Sequence, residues 1–246
     1  MRIGVVSDVH GNAVALQEVL IALEDLAVDE VVCLGDVVGY GPHPGLCVDR
    51  VKAACSLTVA GNHDRAVAGP AILTRFNPVA AEALRWTAER VGDGEAAWLG
   101  SLPEEAAHHG GVLCCHGAPG APNQYIDTPA EAAAALGRSP QPLALCGHTH
   151  VPAAMVLHPG GRGSDDWHPW PEGEPLEIRP EARVLLNPGS VGQPRDGDPR
   201  AAYAVLDLEA GAATRYRIEY DIESTQKAMA RAGLPTSLID RLANGR

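Results

Sequence analysis

Seven residues of types that bind metal follow directly on short apolar runs. Run 2–7 delivers Asp8 and His10, run 30–34 delivers Asp36, and run 56–60 delivers Asn62 with His63 and Asp64 beside it. Run 111–115 delivers His116, and run 143–146 delivers His148 and His150. Half of the ten histidines fall at these ends, and the D-x-H and H-x-H spacings let paired side chains project from one turn. Carboxylate, imidazole and amide oxygen without thiolate suit Mn, Fe, Zn, Co or Ni better than a closed zinc site. Seven ligands are too many for one tetrahedral ion but suffice for two divalent ions if a carboxylate bridges them; hydrolases that use two metals hold them about 3.5–4 Å apart. Such a pair makes hydroxide available near neutral pH, neutralises phosphate oxygens and holds the nucleophile in line with the leaving group. The other five histidines, His43, His108, His109, His158 and His168, lack this placement and read as structural or surface residues.

The runs that position these residues are short, rich in β-branched residues and stopped by Gly, Asp, Asn or His, so they read as buried strands, with a sixth at 183–186. Helical patterns separate them. Residues 12–26 repeat apolar positions at Val14, Leu16, Val19, Leu20 and Leu23; 78–91 follows an Asn77 cap with Pro78 at its first position; 129–136 is short and Ala-rich. Strands alternating with helices predict the α/β class with parallel strands, in which ligands bind beyond the carboxyl ends of the strands. The five loops should therefore converge. Strands at 201–207 and 214–221, then a helical tail from 222, complete the chain. The segment 158–180, rich in Gly, Pro and acids and carrying Trp167 and Trp170, reads as a surface loop or flap; folded over the site, its tryptophans would stack a base. Without repeat or linker, residues 1–246 read as a single domain.

Composition narrows the partners. With 31 acidic against 19 basic residues the formal charge is −12, and no run of Lys or Arg could track a nucleic-acid backbone, so nucleic acid is not expected as an obligate partner. An acidic chain can still act on an anionic phosphate if cations reverse the local field. No stretch resembles a signal peptide or a membrane span. The six cysteines, mostly within apolar runs, read as small buried hydrophobes of a reducing compartment, which points to the cytoplasm. The sequence leaves a homo-oligomer open.

The blocks SDVHGN, GDVVGYG, GNHD, CHG and GHTH, spanning residues 7 to 150, resemble in order and spacing the five signature blocks of calcineurin-like metallophosphoesterases. The segment NPGSVGQPR at 187–195 resembles a further block of small bacterial and archaeal members. The resemblance implies that Asp8, His10, Asp36 and His150 hold one metal and that Asp36, Asn62, His116 and His148 hold the other, with Asp36 as the bridge. It implies two packed, mostly mixed β-sheets flanked by helices, with the metals in loops at one edge. Activity on a small phosphate ester, with manganese as the favoured metal and hydroxide attacking phosphorus directly, follows from it. No motif offers a covalent nucleophile.

His63, adjacent to Asn62 but not required as a ligand, would bind substrate and protonate the departing alkoxide. Asp64 would orient or charge His63, or else cap a helix. Arg195, in the glycine-rich segment, would grip phosphate oxygens. Protein Ser/Thr phosphatases of the superfamily carry an Asp-Arg pair after the bridging aspartate and a GNHE block. Here Tyr40 and Gly41 replace the pair and the block is GNHD, so a phosphodiester or nucleotide-type substrate fits better than a phosphoprotein. A non-catalytic metal-binding scaffold is the alternative of another class.

Overall fold

The computed structural model describes residues 1–69, 73–74, 76–158 and 167–246. Among these, twelve strands and eight helices are arranged as two six-stranded mixed sheets with helices outside them. The first half contains β1 (Arg2–Val6), α1 (Ala13–Asp25), β2 (Glu30–Cys33), α2 (Pro44–Ala54), β3 (Leu57–Thr58), α3 (Asn62–Ala68), α4 (Pro78–Ala88), α5 (Asp93–Ser101), β4 (Glu105–His108) and β5 (Val112–Cys115). The second contains α6 (Pro129–Arg138), β6 (Leu143–Leu145), β7 (Ala153–Leu157), β8 (His168–Pro169), β9 (Leu176–Glu177), β10 (Arg183–Asn187), β11 (Ala201–Asp207), β12 (Ala212–Ile218), α7 (Ile222–Arg231) and α8 (Thr236–Leu242).

Sheet one has the order β3-β2-β1-β11-β12-β9 and sheet two the order β4-β5-β6-β10-β7-β8. Each is built on a parallel trio, β1 to β3 in one and β5, β6 and β10 in the other, extended by antiparallel strands. Register makes the trios end together: Val6 lies opposite Cys33, and Leu145 lies opposite both Cys114 and Leu186. The loops after these strands therefore start from one edge of the molecule.

The strands read as apolar runs, not alternating ones, because both faces are covered. Ile3, Val5, Val32 and Leu34 meet Cys114, Leu145, Leu186 and Trp170 between the sheets. Val6 and Cys33 on the outer face of sheet one pack with Leu16, Val19 and Val48 of α1 and α2, while Ala135 and Leu136 of α6 cover Leu113, Cys115 and Ala144 behind sheet two. Helix starts follow the expected chemistry: Asn12 accepts from Ala15 N at 3.2 Å, and Asn77 accepts from Ala80 N at 2.9 Å with Pro78 next to it.

The segment expected as a surface loop or flap differs from that expectation. Residues 159–166 lie outside the described residues; of the remainder, β8 pairs with β7 and β9 with β12. Trp170 is 2% exposed in the inter-sheet core, and its carbonyl accepts from Arg215 Nε at 2.6 Å, so it is not available to stack a base. Trp167 packs behind sheet two. The strand expected at 214–221 ends at Ile218, because the Asp221 side chain turns back to accept from Ser224 N at 2.8 Å and starts α7. No helix among the described residues is long and apolar enough to cross a membrane.

Candidate metal centre

The loops after the strands turn through strained backbone. Among the described residues, seven that are not glycine have positive φ, and five of them are Asp8 (53°), His10 (49°), Asp36 (53°), His148 (70°) and His150 (61°); Tyr40 (58°) is a sixth. Such conformations cost on the order of 1–3 kcal/mol each and persist only where surrounding contacts impose them. Here the contacts are visible: Asp8 N donates to Gly35 O at 3.0 Å, His10 N to Asp36 O at 2.8 Å, and Ser190 Oγ to Asp8 O at 2.8 Å. Asn187 Nδ2 donates to Gly147 O at 2.8 Å and to Thr149 Oγ1 at 2.9 Å, bracing the loop of His148 and His150. The glycine-rich block thus supports the site from outside it.

All seven predicted ligands come together. His10 Nε2 lies 3.1 Å from His150 Nε2, and His150 Nε2 lies 3.3 Å from Asp8 Oδ1. His116 Nε2 lies 3.1 Å from His148 Nδ1 and 3.2 Å from Asn62 Oδ1. Asp36 Oδ2 joins the two groups, 3.5 Å from His10 Nε2 and 3.4 Å from His116 Nε2. Two clusters able to hold a metal ion result, Asp8, His10, Asp36 and His150 in one, Asp36, His116 and His148 in the other with Asn62 beside them.

The donor atoms fit cations. His10 Nδ1 faces Val38 O at 3.2 Å, His150 Nδ1 faces Gln193 O at 2.6 Å and His116 Nδ1 faces Leu34 O at 2.8 Å, which assigns an N–H to each Nδ1 and turns each Nε2 inward, as a lone pair in the neutral rings of His10 and His150. The facing lone pairs of His10 and His150 repel unless a positive group stands between them. Asp8 Oδ1 is buried without a hydrogen-bond partner, while Oδ2 is held by Ser7 Oγ at 2.7 Å and His148 N at 3.1 Å. Burial raises Asp8 to about 6 and keeps His10 and His150 well below the usual imidazole range, so both stay neutral. Burial would likewise raise Asp36, but the imidazoles of His116 and His63 outweigh it and hold the carboxylate well below its usual range. His116 is the counterpart: burial lowers it, Asp36 outweighs that, and it rises to about 10, carrying as a proton the positive charge this carboxylate cluster attracts.

Beside the second cluster lies a pocket of about 280 Å³ lined by Tyr40, Asn62, His63, Phe76, Asn77, Ala80, Asn123, Tyr125 and His148. The His63 ring sits 4.7 Å from that of His10, 4.4 Å from Tyr40 and 5.1 Å from Phe76, and its backbone N donates to Asp36 Oδ1 at 2.8 Å. Gly39 makes room for it: at φ 94°, a Cβ there would collide with His63 Nδ1. The expected contact from Asp64 to His63 is not made. Asp64 Oδ1 accepts from Val38 N at 3.2 Å and Oδ2 from Gly61 N at 2.9 Å, capping α3, and His63 Nδ1 has no hydrogen-bond partner among the described residues. Asp64 is therefore the helix-capping alternative, a positioning residue for the loop that carries Asn62 and His63.

Arg195 approaches Tyr40, a residue of the pocket wall, from the glycine-rich segment. Its guanidinium lies 5.9 Å from the Tyr40 ring centre, its Nε is buried without a partner, and it opposes the rise that burial imposes on Tyr40 and Tyr125. Tyr125 was not singled out by the sequence. It stacks on His148 with ring centres 3.8 Å apart, yet it stands in a loop with no motif around it. Tyr40, inside the GDVVGYG block, offered a signal only as a replacement for another residue.

Two mixed sheets with a His/Asp cluster able to hold divalent metal at their shared edge have the architecture of metallophosphoesterases. The model of the calcineurin-like phosphoesterase superfamily domain matches residues 1–211, and the chain belongs to that superfamily. It is 32% identical over 260 residues to an uncharacterized protein of Methanocaldococcus jannaschii, covering 99% of this chain and 98% of the relative. The crystal structure of a metallophosphoesterase from Sphaerobacter thermophilus is similar at 42% identity and a TM-score of 0.88, covering 100% of this chain and 99% of that one. A hypothetical protein from Pyrococcus horikoshii shares the fold at 18% identity and a TM-score of 0.81, covering 100% and 98% of the two chains.

Proposed function

We propose that this chain hydrolyses a small phosphodiester or nucleotide-type ester, using two divalent cations, with His63 as proton donor to the leaving group. The observation that carries the reading is the position of Asp36 Oδ2, within 3.5 Å of an inward imidazole nitrogen of each cluster. Asp8, His10, Asp36 and His150 would hold one ion, and Asp36, Asn62, His116 and His148 the other. When bound, such ions supply a nucleophile from water near neutral pH and neutralise phosphoryl oxygens. Carboxylate, amide and imidazole donors without thiolate suit manganese, the activating metal proposed here, as they suit Fe, Zn, Co or Ni.

The chain's own groups do the rest. Arg195, beside Tyr40, presents a fork of donors to a non-bridging phosphate oxygen. Burial lowers His63 to about 4, so it is neutral in the free protein. A phosphate ester in the pocket adds the negative charge that favours the imidazolium, whose proton then passes to the departing alkoxide. Asp64 holds the Asn62–His63 turn through the Gly61 and Val38 amides. Tyr40, Phe76 and Tyr125, with the amides of Asn77 and Asn123, line space for an organic group, which supports a diester over a phosphoprotein. The charge of −12 supports a small substrate with neither nucleic acid nor membrane as obligate partner.

Metal analysis of manganese-loaded protein, with hydrolysis of bis(p-nitrophenyl) phosphate and p-nitrophenyl phosphate, tests the reading. Two manganese ions per chain and preferred turnover of the diester are expected. Bound metal without turnover of either ester would refute hydrolysis and leave a metal-binding scaffold.

A further inference from the structure

A second donor cluster lies at the opposite end of the strands from the metal centre. Glu30 opens β2 in sheet one, His108 closes β4 in sheet two, and His109 follows in a short 3₁₀ turn. Glu30 is in register with Ile3 and His108 with Val112, whereas the loops of the metal centre follow Cys33 and Cys115. None of the three residues belongs to the site described above.

The geometry is that of a ligand set. His108 Nε2 lies 3.0 Å from Glu30 Oε2 and His109 Nε2 lies 3.8 Å from Glu30 Oε1. One donor atom from each residue falls within 4.8 Å of the others. The His108 side chain is only 9% exposed, and its Nε2 is buried without a well-formed hydrogen bond among the described residues, although the carboxylate is so near. A nitrogen placed beside a carboxylate but off the hydrogen-bond axis is what a shared ion between them would satisfy. Ser56 Oγ donates to Glu30 Oε2 at 2.8 Å and fixes that carboxylate.

We propose that Glu30, His108 and His109 form a zinc site that ties β2 of sheet one to β4 of sheet two. Two imidazoles and one carboxylate are a zinc donor set that leaves a fourth position to water. One negative ligand leaves the loaded site with one net positive charge, on a chain of charge −12. Affinity for such donors rises from manganese to zinc, so zinc outcompetes manganese here, while any exchange at the metal centre is common to wild type and a variant of this cluster and cancels in their difference. An ion here joins strands far apart in sequence, and it therefore stabilises the folded chain by mass action.

The test uses the full chain, first saturated with manganese and then dialysed against zinc, comparing wild type with His109→Ala and Glu30→Gln. His109 is suited to removal because its side chain is 67% exposed, so the variant folds whatever the fate of the more buried His108. Wild type is expected to hold one zinc equivalent more than His109→Ala, with unchanged diester turnover in the variant. Its Tm should rise by about 5–10 °C more than that of the variant at a hundredfold excess of zinc over Kd. Equal zinc content in wild type and His109→Ala, or an equal Tm rise in both, overturns the proposal.

Discussion

Gly39→Ala isolates the seat of His63 from the metal ligands. At φ 94° an alanine costs about 1–3 kcal/mol in backbone strain, and in a chain of this size that lowers Tm by roughly 2–12 °C. The new methyl also collides with His63 Nδ1, and the ring has little room to retreat, with Tyr40 at 4.4 Å, His10 at 4.7 Å and Phe76 at 5.1 Å. The backbone amide of His63 still donates to Asp36 Oδ1 at 2.8 Å, so the ligands are not disturbed. Metal content should stay at the wild-type value. Turnover should fall by about 10²–10⁴-fold for a diester with an alkoxide leaving group, the range of general-acid assistance. For a nitrophenyl ester it should fall much less, because that leaving group needs little protonation. In a His63→Ala background the collision disappears, and Gly39→Ala should add almost nothing to the loss. Steady-state kinetics on the two esters, with metal analysis of the four proteins, decides it. Loss of metal from Gly39→Ala, equal losses on both esters, or additive losses with His63→Ala would refute the assignment of His63.

Four further outcomes are expected. Arg195→Lys should keep its metal and lose about tenfold or more in kcat/KM, since an ammonium cannot reproduce the guanidinium fork; the kinetics of the variant measure this directly. Asp64→Ala leaves the buried Gly61 and Val38 amides without acceptors and should destabilise by about 2–4 kcal/mol in urea unfolding, whereas Asp64→Asn should cost less. Chelation should abolish turnover and lower Tm while leaving far-ultraviolet circular dichroism native, because the inter-sheet core does not include the ligands; added manganese should restore activity. Hydrogen bonding from Arg200 holds the Asp198 carboxylate below its usual range. A depressed carboxylate stabilises the fold above its unfolded pKa, about 3.9, and loses that contribution as pH falls through the folded value. The Tm difference between wild type and Asp198→Asn should therefore be full near pH 6 and shrink as the pH drops below about 4.

The α/β class and the seven side chains that converge at the strand ends were legible from the chain alone. A strand buried on both faces must be continuously apolar, so an abrupt change to Asp, His or Asn at its end stands out without any knowledge of its neighbours. Capping at Asn77 was legible for the same reason, being a matter of adjacent residues, whereas Asn12, read as the first residue of its helix, is that helix's cap. Strands β4 and β7, of sequence EAAH and AAMVL, lie outside the runs expected as strands, since alanine carries little strand preference and only pairing with β5 and β10 makes them strands. Helices α2, α3 and α5 likewise lie outside the helices expected from the sequence, and α3 starts at Asn62 itself.

What the sequence determined by itself was therefore the identity of the side chains that could hold metal and the strands that deliver them, because both are written in residues close together along the chain. Tertiary structure decided everything that depends on approach between distant segments. It placed Asp36 Oδ2 between His10 and His116, gave Asp64 to the Gly61 and Val38 amides instead of His63, and brought Arg195 to Tyr40 and Tyr125 to the pocket. It buried Trp170 where a surface loop was expected and set Glu30 against two histidines that the sequence offered no reason to join. The physical reason is common to these cases. Side-chain orientation and burial are fixed by the packing of the two sheets and the register of their strands, and those pairings join residues whose separation along the chain carries no local signal.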